Sequence, residues 1–382
     1  MPSAPHVRRL VLADFRSYAG LDLALDASMI VLTGDNGAGK TNVLEAVSLL
    51  TLGRGLRRAD LADCARQHGT GGWAVSAEIA AGDHDVQLGT GIEPPESGET
   101  QGRRYRIDRA PVSSARAFAD HIRVVWLTPA MDGLFSGSPG ERRRFLDRLV
   151  LAVDAEHGAR VTGLERALRN RNRQLAEPSP DRIWLDATER EVAELGVAVV
   201  AARHDTLARL SALIAAQRDD SSPFPWARLA LSGELEGLMA SQSALAVEEC
   251  YRALLRDGRR RDAAAGRTLV GPHTSDLMVY HGQKNTAATL SSTGEQKALL
   301  TGLVVAHARL VAQLSGLAPI MLMDEIAAHF DPVRRERLFA DLAALGGQVW
   351  LTGADPHGFA GLAGAALHLH VQDGRVAGRT GD

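Results

Sequence analysis

Lysine is almost missing from this 382-residue chain: Lys40, Lys284 and Lys297 stand against 40 arginines, out of 43 basic residues of the two kinds. A guanidinium is a planar fork and an ammonium a compact point charge. A lysine kept under such a bias marks a place where a compact charge is needed. Cysteine is limited to Cys64 and Cys250. Neither has metal-ligand spacing, which excludes a disulfide framework or zinc module and suits a reducing compartment. Aromatics make up 4% of the residues, so base stacking is expected to be minor. Residues 1–9 hold no apolar core of signal-peptide length. Apolar runs such as 149–153 and 197–202 are too short for a bilayer. No stretch is therefore expected to cross a membrane, and a cytoplasmic location follows. A net charge of −3 excludes a globally basic field, so any nucleic-acid surface must be a local patch.

What is present begins with residues 34–41, Gly34-Asp35-Asn36-Gly37-Ala38-Gly39-Lys40-Thr41, a full match to the phosphate-binding loop G-x-x-x-x-G-K-[ST]. The apolar run 29–32 precedes it as a buried strand. Apolar Val43, Leu44, Val47 and Leu50 follow at helical spacing. A loop between strand and helix start offers free backbone N–H groups and a helix dipole to a polyphosphate. Lys40 is expected to reach the β- and γ-phosphates and the Thr41 hydroxyl to ligate Mg²⁺, with Asn42 next in line. The chain is expected to bind a nucleoside triphosphate.

Short β-rich runs at 7–12, 73–79, 84–89, 103–107 and 123–127 make the first part a strand region, with 91–102 as a hairpin loop. At Ser138-Pro139-Gly140-Glu141 the texture changes: Ser, Pro and Glu form a capping box. Helices are expected from there to about 175, from 184 to about 217 and near 243–255, with a strand at 227–231. Prolines interrupt the periodicity, which excludes a long coiled coil. Strands at 277–280, 320–323 and 348–351 alternate with helices at 295–314 and 332–345, the pattern of a parallel sheet. The expected division is 1–135 and 266–382 as two parts of one α/β domain, with 136–265 as a mainly helical insertion.

The strand 320–323 ends in Asp324-Glu325. Asp324 can hold the same Mg²⁺ as Thr41, and Glu325 can position or deprotonate the attacking water. Upstream, Ser292-Thr293-Gly294 opens a helix, a second anion-binding device. With a phosphate loop in the same chain, this triplet resembles the signature motif of ABC-type ATPases. There Ser and Gly contact the γ-phosphate on the facing subunit. By that resemblance an ATP-dependent homodimer shares two ATP sites across its interface. Asp331-Pro332 matches the D-loop position after Ala327-Ala328-His329-Phe330, and Thr352 stands where such ATPases often carry histidine.

Residues 10–18, the 34–46 block, Gly137-Ser138-Pro139 with Arg142-Arg143-Arg144-Phe145-Leu146-Asp147, and Leu269-Val270-Gly271-Pro272-His273 with Asp276-Leu277 together resemble the RecF family. These are DNA replication and repair ATPases related to SMC heads. The likeness spans about residues 8–355. It implies an ABC-type P-loop ATPase head, of a mixed sheet with helices plus an antiparallel β part, carrying a helical arm in place of a coiled coil. It further implies ATP-dependent binding to single-stranded, gapped or junction DNA, slow ATP hydrolysis, and action with RecO and RecR to load RecA and support the SOS response. In related heads the Arg-Ser at the end of the first strand contacts ATP phosphates, which gives that role to Arg16 and Ser17.

Residues 141–173 hold nine arginines against five acids, a local net of +4. Arg142, Arg143, Arg144 and Arg148, then Arg166, Arg169, Arg171 and Arg173, are candidates for successive DNA phosphates. Arg259, Arg260, Arg261 and Arg103, Arg104, Arg106 are further ones. Such contacts read backbone rather than sequence. Three rivals share part of the pattern: a transporter ATPase subunit, an SMC-like structural clamp, and a Mg²⁺-dependent nuclease fused to such a head. The nuclease lacks an extra carboxylate cluster in this sequence.

Overall fold

Alternating apolar and polar residues near the N-terminus build antiparallel strands with one buried face. The computed structural model describes residues 4–81, 84–94, 102–326 and 330–378. Two compact units emerge. The first comprises Met1–Asp132, Ser221–Phe224 and Thr293–Asp382; the second comprises Gly133–Asp220 and Pro225–Ser292. Residues 266–292, expected with the C-terminal α/β part, therefore group with the helical unit.

In the first unit a six-stranded antiparallel sheet runs Tyr18–Ala24, His6–Phe15, Trp73–Ala81, His84–Ile92, Arg104–Ile107, Ala110–Val112. Along His6–Phe15 the buried residues are Val7, Leu10, Leu12 and Phe15; a register shift between Val7 and Arg9 breaks strict alternation. A second six-stranded sheet runs Arg375–Gly378, Leu367–Gln372, Met29–Thr33, Val349–Gly353, Ile320–Met323, Val124–Leu127. Its strands are parallel except for the terminal hairpin. Met29–Thr33, Ile320–Met323 and Val349–Gly353 are buried along their whole length, as central parallel strands covered on both faces must be, and the edge strand Val124–Leu127 is buried too.

One apolar cluster joins both sheets and the helix Lys40–Ser48, with Leu10, Phe15, Ile30, Val43, Trp73 and Trp350 among its members. Gln348 crosses that core. Its Oε1 accepts from the Val7 N–H and the Trp350 indole, both at 3.0 Å, and its Nε2 donates to the Val7 and Ala27 carbonyls, both at 3.1 Å. A buried amide with every group paired carries no desolvation penalty left unmet. The helix Thr293–Ser315 packs beside Val124–Leu127. By length and composition alone it could cross a membrane, which corrects the expectation that no stretch approaches a span; it is a mostly buried core helix.

The second unit packs the helices His157–Leu175, Arg182–Ala216 and Ala244–Ala265 around Leu164, Leu168, Val192, Val200, Tyr251 and Leu255, and contains the helix Pro139–Val153 as well. The capping box is present. Ser138 Oγ accepts from the Glu141 N–H, and the Glu141 carboxylate accepts from the Ser138 N–H at 2.7 Å. Asp181 caps Arg182–Ala216 and Ser243 caps Ala244–Ala265. The strand Asp276–His281 pairs here with Ala227–Ser232 and Thr286–Ala287, outside the parallel sheet in which its alternation with helices had placed it.

Several strands carry weak sequence signals. Tyr18–Ala24 has only Leu21 and Leu23 to mark it, and Leu367–Gln372 alternates with histidines. Residues 95–101 of the expected hairpin loop lie outside the described residues; the strands flanking it, His84–Ile92 and Arg104–Ile107, pair antiparallel.

Candidate nucleotide site

Parallel strands bring their carboxyl ends to one edge of a sheet, where ligands of open α/β folds bind. Met29–Thr33 leads there into the Gly-rich loop, Ile320–Met323 into Asp324-Glu325, and Val349–Gly353 carries Thr352 to the same edge. The register pairs Met323 with Leu351 and Leu32 with Thr352. This sets Thr352 beside Asp324.

The loop curls through left-handed glycines. Gly34 has φ +145°, and a Cβ there would stand 2.1 Å from the Val371 carbonyl oxygen; Gly39 has φ +117° and would meet the Tyr18 hydroxyl at 2.8 Å. Neither position accepts a side chain. The Lys40 ammonium, buried, donates to the Gly34 carbonyl at 2.7 Å and the Asp35 carbonyl at 2.9 Å. It arches over the loop that Asp35, Asn36, Gly37 and Ala38 continue. The helix Lys40–Ser48 has no side-chain cap and no acid in its first turn. Its free N–H groups therefore suit an anion.

Thr41 Oγ1 donates to the Asp324 carboxylate at 2.9 and 3.1 Å, closing a separation of 283 residues. A hydroxyl and a carboxylate are hard oxygen donors that fit Mg²⁺, which binds through one or two carboxylates plus phosphate oxygens rather than in an all-protein cage. Among the described residues no larger cluster of acids, His or Cys could hold a metal. Thr352 Oγ1 donates to Asp324 Oδ1 at 2.7 Å and accepts from the Glu325 N–H at 2.8 Å. Glu325 has φ +51°.

Arg16 and Ser17 form the two-residue tip of the hairpin closed by the Phe15–Tyr18 pair. Arg16 grips Glu45 with two hydrogen bonds, at 2.8 and 2.6 Å, and donates to the Asp63 carbonyl at 2.6 Å. Burial works against its charge, but the Glu45 hydrogen bonds and charge outweigh it, so the guanidinium pKa lies above its ordinary value. Arg57 donates to the same Glu45, at 2.8 Å, and to Asn42 Oδ1. Asn42 Nδ2 donates in turn to Ser17 Oγ at 2.9 Å. Glu45 and Arg57 thus brace the loop's first helical turn. Sequence reading missed Arg57, which no motif marks. Burial pushes the neighbouring Cys64 thiol up to about 11, so it stays protonated.

Ser292 immediately precedes the helix Thr293–Ser315, and Ser292, Thr293 and Gly294 are exposed. Lys297, one turn on, pairs with Asp132 at 2.8 Å, an acid not singled out in the sequence. Asp331 caps the helix Pro332–Ala343 by accepting from the Arg334 N–H. Ala327, Ala328 and His329 of the expected D-loop approach lie outside the described residues.

The arginine candidates divide sharply. Arg142 gives Nε and Nη2 to Asp276 at 2.8 and 2.7 Å and Nη1 to the Phe135 and Gly137 carbonyls. Arg143 donates to the Ser275 carbonyl at 2.6 Å. The R-R-R-F-L-D and G-P-H…D-L blocks therefore clasp each other, and Arg203 ties Asp147 to the Pro272 carbonyl in the same knot. Arg171, expected at a phosphate, is fully buried between Glu189 and Asp262, and Arg259 pairs with Glu189 and Asp186. Arg103 is spent on backbone carbonyls of Gly53 and Leu49. Arg142, Arg171, Arg259 and Arg103 hold the fold together; a spacing argument cannot separate them from exposed ones. Arg144, Arg166, Arg169, Arg173, Arg260 and Arg261 are exposed, and Arg148 is half-buried over the Phe145 ring.

A family model described as RecF/RecN/SMC N terminal domain matches residues 6–355. The chain is 52% identical over 376 residues to the DNA replication and repair protein RecF of Mesorhizobium japonicum, covering 98% of each. It is likewise 52% identical over 378 residues to the protein of that name from Rhizobium meliloti, covering 99% of this chain and 100% of that one. In fold it is similar to the recombination mediator protein RecF-ATPrS of the RecFOR pathway, with TM-score 0.86 at 19% identity over 99% of each chain. An Smc head domain with an extended coiled coil from Pyrococcus furiosus aligns with TM-score 0.52 at 16% identity, covering 98% of this chain and 96% of that one.

Proposed function

Because the chain belongs to the RecF family and has the ABC-type ATPase head fold with a helical arm, we infer that it is an ATP-dependent DNA-binding protein of recombinational gap repair and replication restart. The observation that carries this reading is the convergence of Lys40, Thr41 and Asp324 on one sheet edge, beside an uncapped helix N-terminus.

In this reading residues 34–42 cradle the triphosphate and Lys40 exchanges its loop carbonyls for β- and γ-phosphate oxygens. Thr41 and Asp324 hold Mg²⁺, which neutralises phosphate charge when bound. Glu325 orients and deprotonates the attacking water. Arg16 and Ser17, at the hairpin tip closed by the Phe15–Tyr18 pair, contact the ATP phosphates. Ser292 and Gly294 complete the site of a second copy, so ATP drives dimerisation and slow hydrolysis releases it. DNA, single-stranded, gapped or at a junction, is held through its backbone by the exposed Arg144 and the half-buried Arg148 foremost. The downstream partners are RecO and RecR, with RecA loading and the SOS response as the outcome, in the cytoplasm. The words RecFOR pathway in the name of a fold relative support that assignment.

The test is retention of a gapped duplex in a gel with and without Mg-ATP, for the wild-type chain, Lys40→Ala and Arg144→Ala/Arg148→Ala. ATP should strengthen binding by the wild type only. The double arginine variant should bind more weakly, with a log–log salt slope lower by roughly 0.7–0.9 per lost phosphate contact. ATP-independent binding by the wild type would reject the reading.

A further inference from the structure

Thr352 is completely buried at the end of the strand Val349–Gly353, where the parallel register lays it against Asp324. A threonine hydroxyl has one proton to give and lone pairs to accept with. Here the proton goes to Asp324 Oδ1 at 2.7 Å and a lone pair takes the Glu325 N–H at 2.8 Å. One oxygen thus spans the side chain of the first acid and the backbone of the second. A buried threonine needed only for packing has no reason to spend both capacities on the site's two acids, and valine would fill the same volume.

The Glu325 backbone gives the hydroxyl a task. At φ +51° Glu325 lies in the left-handed region, which a residue with a Cβ holds only when its surroundings over-determine it. The φ and ψ of a residue fix the direction in which its side chain leaves. Holding the Glu325 N–H therefore fixes the direction from which its side chain reaches into the site. The Asp324 N–H is pinned separately, to the Leu127 carbonyl at 2.9 Å. The two acids are thereby fixed from opposite strands, by Leu127 on one side and Thr352 on the other.

We propose that Thr352 is a positioning residue for hydrolysis: its hydroxyl locks Glu325 in the left-handed turn that aims the carboxylate and orients Asp324 toward Thr41. It does not touch the phosphate. The proposal rests on the ATPase reading above. It also accounts for a threonine at a position where related ATPases often have histidine. The brace acts within the chain, between neighbouring strands.

Thr352→Val and Thr352→Ser in the full chain test this with two readouts. The first is hydrogen exchange at the Glu325 amide without nucleotide. Val should speed it about tenfold or more, since its protecting acceptor is gone, and Ser should leave it near wild type. The second is steady-state hydrolysis of Mg-ATP. Val should lower kcat about 10–100-fold with KM changed less than about threefold, and Ser should restore most of kcat. If Val does not fold, Thr352→Ala carries the same comparison. Wild-type exchange and kcat in the Val variant, or equal loss in Val and Ser, overturns the proposal. A wild-type chain that hydrolyses no Mg-ATP defeats the ATPase reading and the proposal with it. That failure is distinguishable from failure of the brace, because exchange at Glu325 needs no nucleotide.

Discussion

Arg142→Ala should cost the helical unit stability, and its neighbour Arg144→Ala should not. Truncation at 142 removes two charge-assisted bonds to Asp276 and two to the Phe135 and Gly137 carbonyls. The Asp276 carboxylate is left without its cation. Breaking a fully buried pair costs about 3–5 kcal/mol. Here the side chains are 13% and 19% exposed, so water recovers part of the loss, and about 2–4 kcal/mol is expected. Lysine restores a charge but not the fork, so Arg142→Lys should recover about half. Arg144 is exposed, and its truncation should stay within about 0.5 kcal/mol. A chain of two units need not unfold in one step. The assay is therefore hydrogen exchange along Pro139–Val153 together with urea unfolding. A double-mutant cycle with Asp276→Asn should give a coupling of about 1–3 kcal/mol. A coupling near zero, or equal stability of the Arg142 and Arg144 variants, would refute the clasp and return Arg142 to the DNA candidates.

Glu325→Gln should bind ATP, hydrolyse it at least about a hundredfold more slowly and accumulate as an ATP-bound dimer, because an amide is a poor proton acceptor; sedimentation with ATP reads this directly. Ser292→Arg and Lys40→Ala should each be inactive alone, while mixing them should restore up to about one site per mixed dimer if the site is shared between copies. No recovery with mixed dimers present leaves Ser292 outside the site. The helical unit should also loosen in acid, in two stages. Burial holds the His273 imidazole below its ordinary 6.5, so the unfolded chain takes up that proton first and stability declines as pH falls below about 6.5. Burial pushes the Asp147 carboxyl up, but hydrogen bonds from His157 and Arg203 outweigh it and hold it below the usual 3.8, so a second decline follows below that value. An unfolding midpoint flat from pH 7 to 5 would contradict the first stage.

The sequence made the phosphate loop, the acids after 323 and the capping box legible because each is a local device whose residue types and spacing answer to one physical need. Helix existence was legible for the same reason, since Leu164, Leu168 and Leu175 repeat along one face. What stayed hidden depends on register between distant segments. That Asp276–His281 pairs with Ala227–Ser232 rather than joining the parallel sheet is not encoded in its own six residues. Nor does a run of arginines say which guanidinium meets a buried acid: Arg142 and Arg144 are two residues apart and have opposite environments. Thr352 is visible as a departure at its position, but its link to both acids appears only once the strands are aligned.

The strand Met29–Thr33 lies between Val349–Gly353 and Leu367–Gln372, and Gln348 reaches back to Val7 across 341 positions of sequence. During synthesis on the ribosome this strand therefore emerges long before either neighbour exists. Its apolar edges wait, unpaired, while most of the chain is made. The helical unit is nearly contiguous, Gly133–Asp220 and Pro225–Ser292, and can form meanwhile from local contacts. A premature stop anywhere between 42 and 349 removes both partners of the strand that carries the phosphate loop, so every such truncated product keeps the motif in its sequence and loses the sheet that shapes it.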